Sequence, residues 1–386
     1  MLSKTWVTLA FSVSLVVAQD FSIPSGWAAH TVSQSDDTLK TMANNLIGTL
    51  SVDGNNGGVQ GIGYWQSANW ISGMANFDHF SGTQTHKTAV TNALNGAFSS
   101  YSNYDQYGWW ATAAYYGYRA YGDQNLLNHA VATWSHVSNY VITDAIASSG
   151  SMSGKSFKVA GTCGGQSMAG GVFWRPTADA TAVNSITTGL YMALSAFLGD
   201  ATGDAKYTNA ADLSANWIHT VNTNANQLVL DTVDGESCTR SAAGWVFTYN
   251  TGKFIEGLSV LSQKKTNWQT PLLNTIVAAT KSSPWQGANA VITEGASDPS
   301  DNDSVGFKPV LIRGLHEAWA RNSGNANLRS LVKAYTDVQW NALQNVKNAN
   351  NPWYSSNWAA GSRPSQVIPW GQLAAIDVLV SATNEN

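Results

Sequence analysis

One pattern recurs six times along this chain, and it leaves few folds open. Each unit opens on an aromatic residue and runs into a segment rich in small side chains. It then breaks at Gly, Asn or Asp and continues into a second, amphipathic segment. The first segments begin near Tyr64, Gly108, Asn184, Tyr249, Phe307 and Trp370. The second cover 84–98, 124–141, 205–221, 268–281 and 325–343, and the stretch from Ser33 to Leu50 supplies a twelfth helix.

The spacing within the units is helical. Ile186, Leu190, Leu194 and Phe197 fall on one face, as do Leu311, Leu315 and Trp319. Ser81-Gly82, Gly122-Asp123, Gly203-Asp204 and Ser323-Gly324 sit where hairpin turns are needed. Alternating β-branched runs are scarce, which argues against a β-sandwich. The Gly/Ser-rich stretch from Ile146 to Arg175 reads as non-helical with a short hairpin. Small residues gather on the first helix of each unit: Ala111, Ala113, Ala114 and Gly117, then Gly189 and Ala193, then Gly252 and Gly257. Small faces let helices approach closely, so these helices form the inner ring. The expected fold is all-α, an (α/α)6 barrel of six hairpins, with a funnel lined by the N-terminal ends of its inner helices.

Residues 1–18 read as a secretory signal peptide. Lys4 precedes the apolar run Trp6–Val17, and Ala18 offers a cleavage site before Gln19. The expectation is a secreted, extracellular protein with one catalytic-type domain over 19–386. The C-terminal Thr-Asn-Glu-Asn lacks the hydrophobic end of a lipid-anchor signal. Only 11% of residues are charged, against roughly 25% in an average soluble protein. Solubility therefore rests on Asn, Ser, Thr and Gly, which suits a neutral, hydroxylated ligand. A formal charge of −4 gives no electrostatic reason to bind nucleic acid or an acidic membrane, and a monomer is expected. Cys163 and Cys238 pair in an oxidising compartment, and Asn302-Asp303-Ser304 makes Asn302 a glycosylation acceptor.

Aromatics recur at the inner-helix starts: Tyr64 and Trp65, Trp109 and Trp110, Trp174, Trp245 and Tyr249, Phe307, and Trp370. Each can be core or sugar platform, since 17 Trp serve either use equally well. Trp109 and Trp110 lie about 100° apart on a helix, so one of them faces the funnel. Carboxylates near the same ends are Asp105, Asp179, Glu294, Asp298, Asp301 and Asp303. Asp105, just ahead of Gly108-Trp109-Trp110, reads equally as a helix cap or as an ionised nucleophile or base. No phosphate loop, dinucleotide fingerprint, Gly-x-Ser-x-Gly elbow or paired-histidine spacing occurs, so no cofactor or metal is implied. That leaves acid–base chemistry by carboxylates, as in glycoside hydrolysis.

Several strings, in order, resemble glycoside hydrolase family 76, the endo-α-1,6-mannanases. They are Asp105-Gln106-Tyr107-Gly108-Trp109-Trp110-Ala111, Cys163-Gly164-Gly165 with Gly171-Val172-Phe173-Trp174, Asn184 opening a helix, Tyr249-Asn250-Thr251-Gly252, and Phe307-Lys308 with Arg313. The resemblance implies a retaining enzyme acting on a polysaccharide such as cell-wall mannan, with two consecutive aspartates as nucleophile and acid/base. Asp105 falls on the first position, and Gln106 occupies the second, where an amide cannot donate a proton. Asp179 or Glu294 are then the leading candidates for the acid. The resemblance also implies sugar contacts from Gln106, Trp109, Trp110, Trp174, Tyr249, Asn250, Phe307 and Lys308. Gln106 keeps two other readings open: a glycan-binding or cell-wall protein that no longer cleaves, and a mannan transglycosidase.

Overall fold

The structure is a computed structural model that describes residues 19–100, 108–281, 284–295 and 303–386. Thirteen α-helices lie among them. In chain order they are α1 (Asp36–Ile47), α2 (Tyr64–Ser81), α3 (Lys87–Ser100), α4 (Gly108–Tyr121), α5 (Gln124–Val137), α6 (Asp144–Ser149), α7 (Ser185–Thr202), α8 (Ala205–Val221), α9 (Thr248–Leu261), α10 (Gln269–Lys281), α11 (Lys308–Arg321), α12 (Ala326–Val346) and α13 (Pro369–Glu385). All but the short α6 belong to the barrel.

The inner ring is α2, α4, α7, α9, α11 and α13. Each packs on the next, and α13 returns to α2 to close the circle. These helices are buried nearly all round, whereas outer α1, α3, α5 and α8 bury one stripe and α10 and α12 complete the outer ring. The fold is the expected (α/α)6 barrel. Small residues set its tightest seam. A Cβ on Gly314 of α11 would sit 2.2 Å from the Gly252 carbonyl oxygen of α9, so only glycine lets these backbones meet.

The turns follow the expected chemistry. Gly82 and Gly203 close α2 and α7 in the left-handed conformation. The Asp123 and Asp204 side chains then accept backbone N–H bonds at the starts of α5 and α8. Boundaries differ from expectation at a few ends. The first helix begins only after the Ser35 cap, and α5 stops at Val137, followed by a 3-10 turn over Ser138–Tyr140.

The segment between α5 and α7 carries α6, which overlaps the expected non-helical stretch, and the expected hairpin β1 (Thr162–Cys163) with β2 (Gln166–Ser167). A second ladder pairs β3 (Ala182–Asn184) with β4 (Thr232–Asp234), antiparallel. The Cys163–Cys238 disulfide staples the hairpin to the turn after β4. Together these pieces build a wall over one side of the barrel mouth.

Charged side chains fill the barrel axis. Lys253 and Glu256 meet at 2.5 Å, the Tyr116 hydroxyl donates to Glu256, and Arg313 grips Asp377 through two bonds of 2.7 and 3.0 Å. Towards the C-terminal ends of the inner helices, Glu317 joins Arg119 and Arg321, and Arg321 also reaches Asp200. Burial alone would raise the Glu317 pKa, but the two guanidinium groups hold it down at about 2.

Candidate functional site

The inner helices present their N-terminal ends to one mouth, and a cleft of about 750 Å³ opens there. That volume lies within the ~300–1,000 Å³ range of ligand-holding cavities. Its floor is aromatic. Trp65, in the first turn of α2, stacks on Trp109 of α4 at 5.1 Å between ring centroids. Tyr249 of α9 stacks on Phe307 at 3.9 Å, and Phe307 in turn leans on Trp65 at 6.0 Å. Trp174 and Trp245 rise at the rim, 40% and 52% exposed, and the Arg175 guanidinium covers Trp174 at 4.3 Å.

Among the described residues, three carboxylates line the cleft: Asp231, Asp234 and Asp303. Asp303 receives the Trp65 indole N–H at 2.8 Å and the Gln66 amide at 2.7 Å, both on Oδ1. Asp231 is nearly buried. Its Oδ1 accepts from Asn250 at 3.1 Å and its Oδ2 from the Thr232 hydroxyl at 2.9 Å. Asp234 is occupied by Thr181, Glu236 and Ser237; burial works against its charge, but these donors win and lower its pKa. Burial, reinforced by Asp231, Asp303 and Glu294, pushes the Tyr249 phenol far above its usual value, so it stays a neutral donor.

The expected site residues divide. Trp109, Trp174 and Tyr249 line the cleft. Trp110 does not: one position on, it turns into the core against Tyr64 and the Gly57 backbone, 1% exposed. Asn250 is fully buried behind Asp231, which it orients, and Phe307 backs Tyr249. Lys308 is also fully buried. Its ammonium donates to the Ser356 carbonyl and lies 4.3 Å from the Trp358 ring, out of reach of a ligand, and burial lowers its pKa to about 7.

Neither candidate acid lines the cleft. Asp179 is exposed on the loop beside Lys155. Glu294 accepts from the Thr248 backbone N–H at 2.9 Å and from the Thr248 hydroxyl, which caps α9. Burial raises its pKa to about 7 against those bonds. Asp105, Gln106, Asp298, Asp301 and Asn302 lie outside the described residues.

Sequence reasoning missed Asp231 and Arg240. Asp231 stands far ahead of α9 in a plain apolar run, Leu228-Val229-Leu230, and only the β3–β4 pairing brings it to the mouth. Trp65 and Asp303 were each visible near a helix start, but nothing in the sequence joins them.

The closed ring of hairpins with this aromatic, carboxylate-bearing mouth defines the class, an (α/α)6-barrel protein. Within that class the chain belongs to glycosyl hydrolase family 76, which it matches over residues 34–386. No curated protein matches the sequence. Among solved structures, the α-1,6-mannanase GH76A of Salegentibacter sp. HEL1_6 superposes with a TM-score of 0.73 at 16% identity, covering 90% of this chain and 100% of that one. An inactive variant of that enzyme, with two neighbouring aspartates replaced and α-1,6-mannotriose bound, gives a TM-score of 0.74 at 15% identity, covering 90% of this chain and 100% of that one. Dfg5 from Chaetomium thermophilum, in complex with glucosamine, gives 0.68 at 14% identity, covering 93% and 92%. At these identities the likeness speaks to the fold.

Proposed function

We propose that this protein is a secreted glycoside hydrolase that cleaves α-1,6-linked mannan within the chain. The observation that carries the reading is the Trp65–Trp109 floor beside Asp303: stacked rings next to carboxylates, at the start of the helix that follows Asp105. Ring faces stack on the apolar faces of sugars, and carboxylates supply the proton transfers and charge stabilisation that glycosidic cleavage needs. The Salegentibacter mannanase and its mannotriose complex suggest the substrate class.

In this reading Asp105 attacks the anomeric carbon, and Trp109, Trp174 and Tyr249 shape the sugar subsites. Asp231 and Asn184 line the cleft wall beside these subsites. Gln106 stands where the second family aspartate is expected. The signal-like residues 1–18 and the Cys163–Cys238 bridge support export to an oxidising compartment.

The test is sugar release from an array of polysaccharides, α-mannan included, by wild type and Asp105→Asn. Cleavage of α-1,6-mannan that vanishes in the variant is the expected result. Gln106 motivates a second reading, a protein that holds glycan without cleaving it. Binding with no release by wild type on any polysaccharide would establish that reading instead.

A further inference from the structure

Cleavage of an unactivated glycoside needs a proton on the departing oxygen, and Gln106 has none to give. The described part of the cleft offers three carboxylates, and their hydrogen bonds separate them. Asp234 accepts from the Glu236 and Ser237 backbone on Oδ1 and from Thr181 on Oδ2, so it serves the turn after β4. Asp231 has both oxygens engaged, by Asn250 and Thr232, and is 7% exposed. Asp303 differs. Trp65 and Gln66 both donate to Oδ1, and Oδ2 has no partner among the described residues while the side chain stands exposed in the cleft. Two donors on one oxygen fix the plane of the carboxyl and leave the other oxygen without a partner among the described residues.

We infer that Asp303 is the catalytic acid/base of this site, taking the task that Gln106 cannot perform; this rests on the hydrolase reading above. Its position fits. Trp65, which holds it, also stacks on Trp109, so the carboxyl is registered against the aromatic floor where a sugar ring would lie. In the first half of the reaction Oδ2–H gives its proton to the glycosidic oxygen. As the nucleophilic carboxylate proposed above bonds to C1, the C1–O bond breaks and its electron pair stays on that oxygen, which leaves as an alcohol. In the second half water displaces that carboxylate from C1, and the water's proton passes to the Asp303 carboxylate. One glycoside and one water give two sugars, and Asp303 ends as it began.

The experiment compares wild type and Asp303→Asn on two substrates. One is α-1,6-mannan, and the other is an α-1,6-mannobioside of 2,4-dinitrophenol, whose leaving group departs without protonation. The asparagine keeps an Oδ1 acceptor for Trp65 and Gln66. The expected result is a loss of about 10²–10⁴-fold in kcat/KM on mannan. On the aryl substrate kcat/KM stays within about tenfold of wild type. Unchanged cleavage of mannan overturns the assignment, and so does an equal loss on both substrates, which marks a positioning role. If wild type cleaves neither substrate, the hydrolase reading itself fails and the assignment falls with it.

Discussion

Trp65 and Asp303 stand 238 residues apart in the chain and meet at the mouth of the barrel through a 2.8 Å hydrogen bond from the indole N–H. The same indole lies against Trp109, in the first turn of α4. One side chain thus couples the opening of α2, the loop before α11 and the opening of α4. Trp65→Phe keeps a ring for the stack and removes only the donor. A neutral hydrogen bond contributes about 0.5–1.5 kcal/mol. We expect kcat on α-1,6-mannan to fall by up to about tenfold, with KM changed far less, in steady-state assays.

The rim tryptophans make a different prediction. Trp174 and Trp245 are exposed, and neither donates a described hydrogen bond to a cleft carboxylate. Their contribution is surface for sugars away from the reacting bond. Trp174→Ala and Trp245→Ala should each raise KM for long mannan chains about tenfold and leave kcat near wild type, because aromatic contacts contribute about 1 kcal/mol beyond their area. Kinetics on an oligosaccharide length series would show it; an effect confined to kcat would refute it.

The Cys163–Cys238 bridge closes a separation of 75 residues. Chain-entropy arguments give such a loop about 4 kcal/mol of stabilisation. The paired Cys163→Ser, Cys238→Ser variant should therefore unfold at lower denaturant concentration than wild type. Limited proteolysis should cut first between Ile146 and Asn184 or in the turn after β4, the parts of the wall that the bridge joins.

Glu385 gives a stability profile with a definite sign. Burial raises its carboxyl pKa from 4.5 to about 8, against a smaller pull from Thr336. Between those two values the folded protein holds a proton that the unfolded chain has released, so stability falls as pH rises from 4.5 to 8. Its contribution is fully present below 4.5 and is lost by about 8. Glu385→Gln removes this dependence and should gain about 3 kcal/mol on wild type between pH 4.5 and 7. Urea unfolding of both proteins at pH 5 and pH 8 measures the difference, and parallel curves would rule it out.

The ring of hairpins was legible because helical patterning is local. Ile186, Leu190 and Leu194 declare a face by spacing alone, and the glycines at 82, 122 and 203 declare the turns. The site was legible only in part. Trp109 could be told from Trp110 as one of two, but which one faces the mouth depends on the packing of α4 against α2. Lys308, which the family resemblance offered as a sugar contact, has its ammonium folded under the floor. Asp231 escaped because its place is set by β3 and β4, strands of three residues each, too short to show alternation. The carboxylates in 101–107 and 296–302 fall outside the described residues, so their sequence readings stand as proposals.

The charged packing along the barrel axis has a topological consequence. Lys253, Glu256 and Arg313 fill the middle, and Glu317 with Arg119 and Arg321 closes the far end. The barrel is therefore a bowl and not a tube. A polymer cannot thread it. On the proposed hydrolase reading, a glycan lies across the mouth and bends into the cleft, and both fragments of a cut chain back out the way they came.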